Sequence, residues 1–157
     1  MRLRAAIAAL LLTSPAFADP GAEAWKRCAA CHLADGKGVP GAFPRLAGRL
    51  HEAAATEAGR AYLILTVTAG LMGPIDVDGK TIRGFMPAQA GLTSADVAAV
   101  LNYAAALPVP DGKALKPVKP FTAAEVEAVK AAHPGASANA VHAARAGVGF
   151  GAGGTTP

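Results

Sequence analysis

Apolar positions recur with helical spacing along most of this chain and with strand spacing in one stretch. The clearest helical pattern follows Thr93. Val97, Val100, Leu101 and Ala104 fall at i, i+3, i+4 and i+7, on one face. Thr93 is placed to cap that helix, with Asp96 in the capping-box position, and Pro108 and Pro110 stop it. A second boxed start, Thr122 with Glu125, leads Val126 and Val129 and ends at Pro134-Gly135. Ser137 opens a last short helix that runs to Arg145. Upstream, residues 20–31 predict a helix, since Pro20 suits a first turn and alanine favours propagation. Residues 49–58 predict another. The stretch 62–69 is ambiguous: Ile64-Leu-Thr-Val-Thr68 is β-rich, yet Gly59 and Gly70 bracket a short helix equally well. Ile75-Asp-Val-Asp-Gly-Lys-Thr-Ile82 alternates around Asp78-Gly79, the dipeptide of a tight hairpin. Gly36, Gly38, Pro40, Gly41 and Pro44 make residues 35–48 a loop, and four prolines with three lysines make 108–120 a linker. The glycine-rich stretch 147–157 is expected to be mobile. The whole reads as mainly α with one small hairpin, and no internal repeat is visible.

Composition changes this picture in one respect. Of 157 residues 52% are hydrophobic, but forty are alanine, about half of that total. Methyl groups bury little area each, and aromatic residues make up only 5%. A single domain of this size with so few large side chains needs something else to fill its centre. The balance of apolar and charged residues excludes a disordered chain, and two cysteines exclude a disulfide scaffold. No apolar run approaches the ~20 residues that span a bilayer. Residues 1–18 read as an export signal. Met1-Arg-Leu-Arg4 is a positive start, residues 5–12 are apolar, and Thr13-Ser-Pro-Ala-Phe-Ala18 ends in Ala-x-Ala, so cleavage is expected after Ala18. The protein is then expected in the periplasm. Losing Arg2 and Arg4 leaves thirteen basic against eleven acidic residues, a net +2, which excludes a nucleic-acid binder by charge.

Chemistry concentrates in Cys28-Ala-Ala-Cys31-His32. Cys-x-x-Cys-His is the spacing of c-type haem attachment. Two thiols about one helical turn apart each add to a vinyl group of one porphyrin. The adjacent imidazole is then held beneath the iron as proximal ligand. A catalytic dithiol would sit near a βαβ pattern, which is absent. Zinc needs four ligands, and His51, His133 and His142 are singletons on alanine-rich, exposed segments. A Cys28–Cys31 disulfide closes too small a loop to stabilise much.

The sixth iron position decides what such a haem does. An open position binds small ligands or reacts with peroxide, whereas a thioether closes it and raises the potential. Two methionines follow the export segment, Met72 in Leu-Met-Gly73-Pro74 and Met86 in Gly84-Phe-Met-Pro-Ala88. Pro87 biases Met86 toward extended geometry, so its side chain can leave a loop. On local sequence both stay open, and either can instead be a gap-filling core methionine.

Together, Cys28-Ala-Ala-Cys31-His32, a downstream Met-Pro and a final amphipathic helix resemble class I cytochromes c. The likeness is closer to a long-tailed bacterial subgroup, known from thermophiles, whose members donate electrons to a terminal oxidase. It is carried by Gly38-Val-Pro-Gly-Ala-Phe-Pro-Arg-Leu-Ala-Gly48, Gly59-Arg-Ala-Tyr-Leu-Ile-Leu65, Asp96-Val-Ala-Ala-Val-Leu-Asn102 and Lys119-Pro-Phe-Thr-Ala-Ala-Glu-Val126. The resemblance implies the class I cytochrome c fold: helices around one covalent haem c, a small β-hairpin and a C-terminal helical extension that wraps back. Its divisions would be an export signal 1–18, a haem domain 19–107, a linker and extension 108–146 and a flexible tail 147–157. It implies that Met86 ligates iron with His32, that the Pro44 carbonyl holds the His32 imidazole, and that Leu46 packs on haem. Trp25 is then the partner of Tyr103 across two helices. Leu33 departs from the pattern, because many relatives carry glycine or glutamine after the histidine. Arg45, Arg49 and Arg83 are candidates for the haem propionates, each otherwise a solvated surface charge.

The function so implied is single-electron transfer by a soluble, monomeric, non-enzymatic carrier in a respiratory chain. Its contacts with a membrane donor complex and an acceptor such as a terminal oxidase would be transient. A net charge near +2 predicts only modest dependence of transfer on ionic strength. Two other functions compete. One is a permanent haem subunit of a periplasmic dehydrogenase, since Leu71-Met-Gly-Pro-Ile-Asp-Val77 resembles small cytochrome subunits of such enzymes. The other is a ligand-binding or peroxidatic haem, which requires Met86 to be off the iron.

Overall fold

The structure is a computed structural model that describes residues 19–110, 112 and 114–150. Residues 1–18, read above as an export signal, and the end of the tail, 151–157, lie outside the described residues. Helix α1 is Pro20–His32, α2 Leu50–Ala53 and α3 Glu57–Ala69. A hairpin of β1 (Leu71–Val77) and β2 (Lys80–Met86) follows, then α4 (Ser94–Ala106), α5 (Ala123–Ala132), α6 (Ala138–Ala144) and a 3-10 turn, Arg145–Gly147.

The helix starts follow their capping residues. Asp19 caps α1 by accepting from the Gly21 amide at 2.8 Å. Thr93 and Asp96 form a full reciprocal box at α4. Thr122 caps α5, but Glu125 does not complete the box; its carboxylate turns to Arg60 instead. The predicted helix over 49–58 is two elements. Thr56 caps a new helix at Glu57 by accepting from the Gly59 amide, so the ambiguous 62–69 stretch is helical. At Gly59 a Cβ would lie 1.8 Å from the Ala53 carbonyl oxygen, so only glycine allows α2 and α3 to approach this closely. The hairpin turns at Asp78-Gly79 but is longer than its alternating centre. Leu71 pairs with Met86 and Val77 with Lys80.

α1 and α4 cross with Trp25 and Tyr103 in contact, ring centroids 5.8 Å apart. Around them Leu50, Ile64, Val97, Val100, Leu101, Phe121 and Val126 make one core cluster. Tyr62, Leu65, Leu71, Ile75, Val77, Ile82, Val141 and Val148 make a second. Phe121, Val126, Val141 and Val148 all come from the extension, which docks by burying a thin apolar stripe. Asn102 holds Phe121 through both backbone groups, and α6 lies along β1. Of the tail expected to be mobile, residues 147–150 are described, and packing continues into them past Gly147. Val148 is buried, and Phe150 meets Tyr62 edge-on at 5.8 Å. Glycines at 147 and 149 loosen the backbone, but the large side chains beside them find the second core.

Candidate functional site

The end of α1 delivers three side chains to one place. One helical turn separates Cys28 from Cys31, and His32 is the last helical residue. Cys28 is half-buried and Cys31 exposed, and neither is in a disulfide. Burial pushes the Cys28 thiol up, partly offset by its own backbone and by Arg27. His32 is buried, with Nδ1 2.9 Å from the Pro44 carbonyl oxygen. A carbonyl can only accept, so Nδ1 carries the proton and donates. Burial also lowers the His32 pKa, with Pro44 opposing. The neutral ring therefore keeps a bare lone pair on Nε2. The 35–48 loop supplies this contact because it folds back on itself: Gly38 donates to the His32 carbonyl, and Val39 exchanges hydrogen bonds with Phe43.

His32, Cys28 and Cys31 open onto an apolar cavity of about 360 Å³. The hairpin supplies much of its wall, Phe85 included. Strand side chains alternate, and the 71↔86 register puts Leu71, Gly73, Ile75, Val77, Ile82, Gly84 and Met86 on that wall. Met86, half-buried at the end of β2 rather than in a loop, faces the cavity that His32 enters. Met72 takes the other face of β1, is 44% exposed and is not part of the cavity wall. Leu46 is not on the wall; it is half-buried against the first core cluster.

Several wall residues have no place in the sequence reading. Tyr62 and Thr66 line the cavity from α3. They are four residues apart, and reading 62–69 as a helix would have put both on one face. Arg49 and Arg145 also line it. Arg49 reads from sequence as a solvated charge, yet its side chain is only 11% exposed. Arg145 and His142, from the extension, both make structural contacts. Arg145 donates to the Tyr62 hydroxyl, and His142 lies over Gly73 and donates from Nε2 to the Pro74 carbonyl at 2.6 Å. Arg83 is exposed and outside the cavity wall.

The cavity suits a flat apolar macrocycle bearing a few polar groups. Its wall is dominated by aliphatic and aromatic side chains, and two buried polar atoms on it, Arg49 Nη2 and Thr66 Oγ1, have no protein partner. Two thiols, an imidazole and a thioether all line it, a soft and borderline donor set suited to iron in a porphyrin. A zinc site has no donor set here, because the described residues gather no group of three His, Cys, Asp or Glu able to hold a metal. Among the described residues no helix is long and apolar enough to cross a membrane.

Comparison with known proteins agrees. Residues 18–108 match the family described as Cytochrome c. Relatives include a cytochrome c-552 of Thermus thermophilus, 46% identical over 129 residues that cover 82% of this chain and 86% of the relative. A second Thermus thermophilus cytochrome c-552 is 47% identical over 111 residues, 71% of this chain and 84% of that one. The longer match cannot fit within 18–108 even with every earlier residue added, so it reaches into the extension. The chain therefore belongs to the cytochrome c family, as a class I member of the thermophile type that carries one covalently bound haem c.

Proposed function

We propose that this electron carrier is exported to the periplasm, holds its haem iron between His32 and Met86, and delivers single electrons to a terminal oxidase. One observation supports the ligand assignment: His32 and Met86 line the same apolar cavity, while Met72 is exposed and is not on its wall. A low-spin haem closed on both faces supplies one-electron chemistry with no site for substrate. The protein's part is to hold still. Pro44 fixes the plane of the His32 ring and makes it a better donor. Pairing of Leu71 with Met86 ties the thioether strand to its neighbour, and the Gln89 amide donates to the Val67 carbonyl at 2.8 Å just beyond it. With both ligands so anchored, little needs to reorganise when the electron moves. The export pattern of residues 1–18 supports a periplasmic location, and the resemblance to oxidase donors supports the acceptor.

Absorption spectra of the exported protein test this. Wild type is expected to show a low-spin c-type haem with the weak far-red band of ferric thioether ligation. Met86→Ala should lose that band and Met72→Ala should keep it. Loss in Met72→Ala instead would overturn the ligand assignment, and a high-spin wild type would overturn the carrier reading.

A further inference from the structure

On β2, Ile82, Gly84 and Met86 share the cavity face, opposite Ile75, Gly73 and Leu71 of β1. Four of these six carry large apolar side chains, and the directly paired Gly73 and Gly84 carry none. Gly73 has its reason within the protein. Its φ is 139°, and a Cβ there would lie 2.6–2.7 Å from the His142 ring. Gly84 has no such reason. Its φ is not positive, and among the described residues a Cβ there would meet no atom within 4 Å. Glycine inside a strand weakens it, and one that its own protein does not require marks a close approach of a ligand to the backbone.

The hairpin is braced around this position. His142 lies over Gly73, the partner of Gly84, and donates to the Pro74 carbonyl at 2.6 Å. Gly70, which ends α3, runs so close to β2 that a Cβ on it would lie 2.6 Å from the Met86 carbonyl oxygen. The strands cannot yield to bulk added at 84 without breaking these contacts. We propose that Gly84 is the seat of the haem macrocycle on β2, a positioning residue whose missing side chain lets the ring lie close enough to the strand for Met86 to keep the sixth iron position closed. This rests on the haem reading of the cavity and on Met86 as ligand. A side chain at 84 would stand between strand and ring. The cost falls on the bond from iron to the Met86 sulfur, because the links through Cys28 and Cys31 are covalent and the hairpin is held. Overpacking by a methyl group shifts such an equilibrium on the order of tenfold, about 1.4 kcal/mol. The size of residue 84 thus decides between a closed electron carrier and a haem open to small ligands.

The test begins with NMR of the wild-type holoprotein, reduced so that its iron is diamagnetic. The Gly84 α-protons should give nuclear Overhauser contacts to haem protons and be displaced by the porphyrin ring current. Gly84→Ala and Gly84→Val follow. Gly147→Ala is the control, since a Cβ there also meets no atom within 4 Å but lies off the cavity wall. On a strand facing solvent, alanine and then valine would raise stability. Against the ring the order reverses. The far-red band of the ferric protein and the denaturation midpoint should both fall from glycine to alanine to valine. The reduced valine variant should bind carbon monoxide at least about tenfold faster than wild type. Gly147→Ala should leave the band and the carbon monoxide rate unchanged. The proposal is overturned if the Gly84 α-protons show no contact to haem, if Gly84→Val keeps the band and raises the midpoint, or if Gly147→Ala weakens the band as much. Because the wild-type spectrum alone can overturn it, a variant that fails to fold does not shelter it. A wild type that carries covalent haem but lacks the far-red band would instead sink the Met86 reading, and this proposal with it.

Discussion

Leu33 ends α1 with φ 65° and ψ 161°, a conformation that glycine occupies freely and a γ-branched side chain does not. The backbone is held there by its neighbours. Leu33 N–H donates to the Ala29 carbonyl, and Gly36 and Gly38 donate to the carbonyls of Leu33 and His32. The side chain recovers little, being 42% exposed. Leu33→Gly should therefore raise the stability of the holoprotein by about 1 kcal/mol: relief of about 1–3 kcal/mol of backbone strain, less the extra entropy glycine brings to the unfolded chain. Thermal unfolding followed at the haem band would show it; an unchanged or lower midpoint would mean that Leu33 packs better than its exposure implies. At this scale the chemistry could be read from the sequence, since Cys28, Cys31 and His32 are consecutive features of one helix. The polar part of the cavity wall could not. Arg49, Arg145 and Tyr62 lie far apart in the chain, and no local pattern marks an arginine whose guanidinium will be buried.

The elements were readable where a cap or a turn dipeptide states itself locally, as at Thr93, Thr122, Ser137 and Asp78-Gly79. They were not readable where the deciding contact is tertiary. Thr56 marks the start of α3 locally by capping it, but how closely α2 and α3 meet depends on Gly59 passing the Ala53 carbonyl within a distance no side chain tolerates. Gly59→Ala should cost about 2–3 kcal/mol, the upper part of the overpacking range, since backbone rather than a flexible side chain must move. Chemical denaturation of holoprotein measures it. A loss below about 0.5 kcal/mol would show that α2 and α3 can slide apart. The hairpin shows the same division: its turn was evident, but its length was not. The register that carries Met86 inward and Met72 outward comes from pairing that continues past the alternating residues.

For the molecule as a whole, the alanine-rich composition leaves a core that cannot close on its own side chains, and the extension meets part of that need. It is fastened at its start by Arg60. That guanidinium is 10% exposed, holds Glu125 through both carboxylate oxygens at 2.6 and 2.7 Å, donates to the Lys119 carbonyl and stacks 3.9 Å from the Phe121 ring centre. The wrap was legible from resemblance; the ion pair was not, because Glu125 reads as half of a capping box and serves another helix instead. Arg60 lowers the Glu125 pKa from its ordinary 4.5. A carboxylate depressed in the folded state binds fewer protons there than in the unfolded one. Its contribution is thus complete above about pH 4.5 and is lost as pH falls through the lower folded value. Asp78, depressed chiefly by its hydrogen bond from Arg45, acts in the same direction at slightly lower pH. Glu125→Gln should therefore cost about 2 kcal/mol at neutral pH, because Arg60 keeps its carbonyl and ring contacts but loses its counter-charge. The difference between variant and wild type should shrink as pH drops below 4.5, while the Asp78 part of the acid sensitivity remains in both. Unfolding midpoints measured across that range decide the matter. A gap between the two proteins that stays constant down to about pH 3 would mean that packing of Phe121, Val126 and Val141, and not the charge on Glu125, holds the extension to the core.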